Sequence, residues 1–170
     1  PLAPAWAQGA APRGEPPPIL LGTLDELARS VVGLAVDVAP EARTAAVLGT
    51  HREGNGVVID KAGRVVTIGY LILEAQQVRV TRHDGREFAA KVLGYDAESG
   101  LGLVQVAGTL ELEPIPMGDS RALAVQDPVL MLTRQGMAGA QAAMVVSRRT
   151  FTGYWEYLLD DAIYTAPPQR

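Results

Sequence analysis

Short apolar segments with alternating polar positions recur along most of the chain and predict a protein built from β-strands. Residues 31–38 are apolar and rich in β-branched side chains, and residues 77–82 alternate apolar and polar side chains with a period of two. Turn-forming sequences such as His83-Asp84-Gly85 separate these segments. The predicted strands cover residues 31–38, 56–59, 64–67, 77–82, 87–94, 101–106, 129–133, 139–147 and 154–164.

Helical signals are few and short. Thr23-Leu-Asp-Glu26 has the form of a capping box and predicts a helix over residues 23–30, and residues 71–75 could form one helical turn. Asp60-Lys-Ala-Gly63 predicts a hairpin loop, and residues 114–127 are irregular. Many short strands at spacings of about 8–12 residues indicate an antiparallel barrel or sandwich rather than βαβ units.

The first residues of the chain differ from the rest in composition. Ala5-Trp6-Ala7 matches an A-x-A cleavage pattern, and residues 8–18 are rich in Pro, Gly and Ala. We interpret residues 1–22 as the remnant of a secretory signal followed by a linker; a disordered Pro/Ala-rich segment is the alternative. An exported chain without cysteine suits a bacterial periplasm or a secreted bacterial protein.

Composition and charge narrow the possible functions. Hydrophobic residues make up 48% of the 170 residues, which is enough for a packed core. The 15 basic residues against 19 acidic residues argue against a nucleic-acid partner, and no apolar run approaches the ~20 residues of a membrane-spanning helix. With no cysteine and only two histidines, the sequence predicts neither a metal site nor a cofactor.

Several motifs follow one another in a set order. The segment Gly54-Asn-Gly-Val-Val-Ile-Asp60 precedes Gly63-Arg-Val-Val-Thr67, and Asp84-Gly-Arg-Glu-Phe-Ala-Ala-Lys91 comes next. Pro114-Ile-Pro-Met-Gly-Asp-Ser120 and Val125-Gln-Asp-Pro-Val129 follow in the second half. In this order the motifs resemble the HtrA/Deg branch of the trypsin-like serine proteases, from about residue 30 to residue 163.

The resemblance implies an all-β fold of two antiparallel barrels with the active site in the cleft between them. Residues 23–112 would form a short helix and a complete first barrel. Residues 113–170 would form the linker and a partial second barrel, because the family's second barrel needs further strands. We therefore expect strand 139–146 or strand 154–164 to border an exposed edge, with self-association of the chain as a consequence.

The resemblance also identifies the positions of the catalytic triad, in which a histidine activates the serine and an aspartate orients the histidine. The family's T-N-x-H motif corresponds to Thr67-Ile-Gly-Tyr70, so tyrosine stands where histidine is expected. The family's aspartate corresponds to Gly100, and its serine to Pro168 or a position beyond it. The nearby family glycine corresponds to Ala166. No intact catalytic residue is predicted, and Tyr70 is expected to pack at the cleft with its hydroxyl exposed.

The remaining polar candidates have ordinary structural explanations. His51 is expected in an exposed loop, His83 in a solvated turn, and Asp96 in a turn or at the surface. Ser120 should cap or turn the linker. Ser147 should end a strand before a surface charge pair, Arg148-Arg149.

Five aromatic residues cluster near the end of the chain. We expect them in the core of the second barrel, and the alternative is a peptide-binding surface. They are Phe151, Tyr154, Trp155, Tyr157 and Tyr164.

These observations favour a trypsin-like domain that has lost its triad and binds a peptide or protein partner without cleaving it. A serine endopeptidase whose nucleophile lies beyond residue 170 is one alternative. A fragment without independent activity is the other.

Overall fold

The computed structural model describes residues 21–153 and 158–168. The interpretation of residues 1–20 as a signal remnant and linker therefore lies outside the described residues, as do Tyr154, Trp155 and Tyr157. The elements are α1 (Leu21–Arg29), β1 (Val31–Val38), α2 (Ala45–Leu48), β2 (His51–Val58), β3 (Arg64–Ile68), α3 (Gly69–Ile72), β4 (Ala75–Thr81), β5 (Glu87–Asp96), β6 (Leu101–Val106), β7 (Pro128–Thr133), β8 (Gly136–Thr152) and β9 (Leu158–Ala166).

The first six strands close into an antiparallel barrel. Their order around it is β1-β2-β3-β6-β5-β4, so each strand pairs on both sides. Strands β3 and β6 pair with Thr67 opposite Gly102 and Ile68 opposite Leu101. The complete first barrel is confirmed. Valine dominates its interior, and the fully buried residues include Val32, Val36, Val65, Val80 and Val104. Apolar residues that face inward in this way are typical of antiparallel strands with one face on a core.

The last three strands form a separate antiparallel sheet in the order β7-β8-β9. This sheet confirms the partial second barrel. Of the two strands expected at the exposed edge, β9 is an outer strand of the described sheet, whereas residues 139–146 belong to β8 in its centre. The centre of the sheet buries Val145 completely.

Strand β2 is longer than predicted. It begins at His51 rather than at Gly56, because Gly54 and Gly56 are strand residues over which core side chains pack. A Cβ at Gly54 would lie 2.4 Å from Leu71, and one at Gly56 would lie 2.5 Å from Leu34. Glycine is required at both positions by close packing inside the barrel.

Strands β8 and β9 also differ from the prediction. Strand β8 extends from Gly136 to Thr152 because register shifts at Val145/Ser147 and Arg149/Phe151 let its pairing continue through polar residues. Ser147 therefore lies inside a strand rather than at its end. Strand β9 is described over Leu158–Ala166, so it continues two residues past Tyr164.

The helical predictions were right in place and wrong in extent. Helix α1 begins at Leu21, two residues before the predicted cap, because apolar positions 21, 24 and 28 continue its stripe backwards. The turn predicted at residues 71–75 is α3, Gly69–Ile72, and it stops where Glu74 adopts a φ of 58°. Helix α2 and the 3₁₀ turn Ser120–Ala122 were not predicted. No helix in the described part of the chain is both long and apolar enough to cross a membrane.

Candidate functional site

The two positions that the resemblance assigns to the family's histidine and aspartate, Tyr70 and Gly100, lie side by side. Tyr70 is in α3, directly after β3, and Gly100 directly precedes β6. Because β3 and β6 are paired, their adjoining ends bring the two positions together, and the Gly69 amide donates a hydrogen bond to the Gly100 carbonyl at 2.7 Å. The Tyr70 side chain is 38% exposed, as expected for a residue at a cleft.

The side chain of Tyr95 occupies part of the space beside Gly69, and the sequence did not predict this contact. Its aromatic ring packs directly on the backbone of Gly69, since a Cβ at Gly69 would lie 2.0 Å from a ring carbon of Tyr95. Tyr95 pairs with Gly102 across β5 and β6, one register position from Leu101. Gly102 is the third residue of the segment that begins at Gly100, and no local sequence pattern indicates this pairing across strands.

Arg52 holds α3 in place and was also missed. Its buried guanidinium donates hydrogen bonds to the carbonyls of Tyr70 and Leu73, both at 2.9 Å, and to the Thr44 hydroxyl at 2.7 Å. Burial lowers the pKa of Arg52, and the charge of Glu74 opposes that effect. Counting back in steps of two from the inward-facing Val58 places Arg52 on the inward face of β2, a signal that the prediction of a loop concealed.

Glu74 links this arginine to α2. Its carboxylate accepts hydrogen bonds from the Thr44 amide at 2.8 Å, the Thr44 hydroxyl at 2.6 Å and the Arg43 amide at 3.2 Å. These bonds, led by the Thr44 hydroxyl, lower the pKa of Glu74. The network fixes the backbone around Tyr70.

Pro168, to which or beyond which the resemblance assigns the family's serine, follows β9 in the other sheet. Its carbonyl accepts a hydrogen bond from Gln141 at 3.0 Å, and Ala166 is the last residue of β9. Proline offers neither a nucleophile nor an amide hydrogen there.

The histidine predictions had different outcomes. His51 is exposed, but it is the first residue of β2 rather than part of a loop, and its Nδ1 lies 2.8 Å from Oδ1 of Asp37. Its Nε2 lies 3.3 Å from Glu53. These carboxylates, Asp37 first, raise the pKa of His51. His83 lies in an exposed turn as expected.

Other polar residues largely follow expectation. Asp96 closes the β5–β6 turn by accepting hydrogen bonds from the Ser99 hydroxyl and the Glu98 amide, of which the Ser99 bond does most to lower its pKa. Ser120 begins a 3₁₀ turn that Asp119 caps.

Arg148 was wrongly predicted to belong to a surface pair. Its side chain is mostly buried, pairs with Asp161 and donates to the carbonyl of Leu123 at 2.6 Å, so it ties the linker to the second sheet.

The described aromatic residues are not core residues. Phe151 is 37% exposed and Tyr164 is half-buried, and their rings meet edge to face at 6.4 Å. Arg149 stacks on the Tyr164 ring at 4.3 Å from its centre. The core prediction was therefore wrong for these two rings, because the described sheet leaves them at its surface.

A closed six-stranded barrel followed by a second antiparallel sheet defines a protein of the chymotrypsin-type double-barrel class. The family model of the trypsin-like peptidase domain matches residues 54–168, and the chain belongs to this family.

Curated relatives support the predicted branch. The chain is 43% identical over 75 residues to periplasmic serine endoprotease DegP of Salmonella typhimurium, a match covering 44% of this chain and 16% of DegP. It is 39% identical over 75 residues to the periplasmic pH-dependent serine endoprotease DegQ of Escherichia coli, with the same shares of 44% and 16%. The chain thus spans less than a fifth of the length of these relatives.

Solved structures confirm the fold. A variant of the HtrA-type protease AlgW with a tripeptide superposes with a TM-score of 0.65 at 18% identity, covering 82% of this chain and 43% of that one. AlgW itself with a tripeptide gives 0.59 at 19% identity, with 77% and 40% covered.

Proposed function

We propose that this chain is a non-catalytic trypsin-like domain that binds an extended peptide or protein segment without hydrolysing it. One observation supports the proposal: Tyr70 and Gly100, which the resemblance assigns to the base and the carboxylate, lie together at the adjoining ends of β3 and β6. A phenol with an ordinary pKa near 10 is a poor base at neutral pH, and glycine offers no carboxylate at all.

A protease cleft without its catalytic residues retains peptide binding as its activity. The HtrA-type neighbours carry a tripeptide in their structures, and in this chain Tyr70 and Tyr95 are more than a third exposed. Aromatic side chains are effective anchors for peptides. The names of DegP and DegQ and the A-x-A motif before Gln8 support an exported, periplasmic location.

A serine endopeptidase is the second candidate, because the named relatives are serine endoproteases. It would need a nucleophile beyond residue 170 and a base other than Tyr70. The two functions predict opposite results with activity-based probes.

The test is fluorophosphonate labelling together with hydrolysis of casein and of ester substrates. We expect neither labelling nor turnover above that of a buffer blank, with DegP as the positive control. Stoichiometric labelling of any serine would exclude the non-catalytic function.

A further inference from the structure

Two depressions adjoin where the β5–β6 turn faces β9. The first, of about 530 Å³, lies on β3, β5 and β6, and the second, of about 390 Å³, lies between the turn and β9. Asp96 and Ser99 line both depressions. The two depressions therefore adjoin at the β5–β6 turn, and together we call them the turn groove.

One half of the turn groove is apolar and open. Its walls include Val66, Tyr95, Leu101 and Leu103, and Leu101 is 48% exposed. Gly94 also lines it, and a Cβ built there would meet nothing within 4 Å. Apolar side chains exposed together around an empty space are typical of a surface that binds a ligand.

The other half is acidic. Asp161 is paired with Arg148, with Oδ1 3.0 Å from Nε, and Asp96 is bonded to Ser99. The carboxylates of Glu98 and Asp160, in contrast, accept no hydrogen bond or ion pair from any residue in the described part of the chain. Among described residues, neither lysine nor arginine lines either half. This half therefore presents uncompensated negative charge.

We propose that the turn groove binds an extended peptide in which a run of apolar side chains adjoins lysine or arginine. The apolar side chains would occupy the half beside Tyr95 and Leu101, and the cationic side chains would lie against Glu98 and Asp160. Charge complementarity selects this occupant, because an acidic peptide would be repelled at the second half. The inference rests on the proposed function, since a hydrolysed peptide would not remain bound.

The first experiment measures the anisotropy of a fluorescent synthetic peptide in which a Leu-Val-Phe core is followed by three lysines. A counterpart with three glutamates is the matched control. We expect the lysine peptide to bind at least about tenfold more tightly at low salt, and we expect this preference to shrink as NaCl is added.

The second experiment places the peptide in the turn groove. Gly94→Leu fills its apolar half, and Gly118→Leu makes the same change at a linker glycine where a Cβ also meets nothing within 4 Å. Glu98→Gln/Asp160→Asn removes two acidic charges from the groove, while Glu41→Gln/Glu87→Gln removes two elsewhere. We expect each groove variant to weaken binding at least about fivefold and each control to change it little, with thermal melts confirming that all four variants fold.

The outcomes distinguish a failure of the turn-groove proposal from a failure of the proposed function. If the Gly94→Leu and Gly118→Leu variants bind the lysine peptide equally tightly, the assignment of the peptide to the turn groove is wrong, but the proposed function still stands. Cleavage of the lysine peptide, seen by mass spectrometry, would overturn the proposed function itself. Absence of binding, or a dimer that Gly94→Leu dissociates, would overturn the peptide as the occupant.

Discussion

Gly100 shows how a single residue can oppose the restoration of catalysis. Its φ is 70°, in the left-handed region that glycine enters freely and that other residues enter at a cost of roughly 1 kcal/mol. The adjoining Gly69 is covered by the ring of Tyr95. Both Gly100 and the adjoining Gly69 thus favour glycine, and an aspartate at position 100 would adopt a strained backbone conformation.

Restoring both residues should not restore the reaction. We expect the double variant Tyr70→His/Gly100→Asp to hydrolyse casein and ester substrates no faster than the parent, because triad residues act as a unit and position 168 is still proline. The single variant Gly100→Asp should unfold at lower urea than Tyr70→His. Turnover well above background in the double variant would show that the site is wrongly placed.

His51 lies in a row of alternating charges on the barrel surface. Arg79 pairs with Asp37 at 3.0 Å, His51 lies between Asp37 and Glu53, and Arg134 from the second sheet lies 3.6 Å from Glu53. The hydrogen bond to His51 is the main reason that the pKa of Asp37 is lowered. His51 thus links Asp37 on the barrel to Glu53, which in turn lies near Arg134 of the second sheet.

The raised pKa of His51 gives its contribution to stability a definite pH dependence. Protonated His51 stabilises the fold below its unfolded pKa of about 6.5, and this contribution is lost as pH rises through the higher folded pKa. His51→Gln should therefore lower the free energy of unfolding more at pH 5.5 than at pH 8.5, measured by urea denaturation. His83→Gln is the matched control, and an equal loss at both pH values for His51→Gln would contradict the prediction.

At the scale of elements, α3 depends on a side chain from another strand. It has only four residues and no side-chain cap, so its last carbonyls need an external donor. Arg52 from β2 supplies this donor, and Glu74 with Thr44 holds the guanidinium from the side of α2. The segment that carries Tyr70 is thus positioned by β2 and α2.

Removing this arginine should be costly. Arg52→Ala leaves the carbonyls of Tyr70 and Leu73 without their buried donor, and we expect a loss of about 3 kcal/mol in the free energy of unfolding. Arg64→Ala, which removes an exposed partner of Asp60, should cost much less. Urea unfolding of both variants is the measurement, and similar losses would show that Arg52 does not anchor α3.

At the scale of the whole molecule, the core is divided unequally. The contiguous cluster of buried apolar residues extends from Val32 to Leu110 and belongs to the first barrel and the start of the linker. In the described part of the second sheet, Ala143 and Val145 are the buried apolar residues. Because burial of apolar surface is the main stabilising contribution, the two halves should differ in local stability.

Hydrogen exchange should show this difference directly. We expect slow amide exchange in β1–β6 and clearly faster exchange in β7–β9, measured by mass spectrometry on the native chain. A hydrophobic dye should bind, or the chain should self-associate, because Leu130, Met144 and Phe151 are exposed on the second sheet. A monomer with uniform protection across both halves would contradict this prediction.

The sequence by itself determined the strand-rich fold and the family, and it predicted which residues stand at the triad positions. An apolar run rich in β-branched residues sufficed for Val31–Val38. A period-two alternation sufficed for residues 77–82, because side-chain direction in a strand repeats every two residues. The order of the motifs was enough to predict that Tyr70 and Gly100 stand at two triad positions, because each residue is close in sequence to neighbouring turns.

Only the tertiary structure decided what depends on contacts between distant segments. Gly54 looked like a loop residue until Leu71 was seen packed on it, and Arg52 looked like a surface charge until its hydrogen bonds to α3 were seen. The place of Tyr95 against Gly69, and the meeting of the β5–β6 turn with β9, likewise join residues far apart along the chain. Local sequence patterns cannot predict such contacts, because they form only when the barrel closes and the second sheet docks beside it.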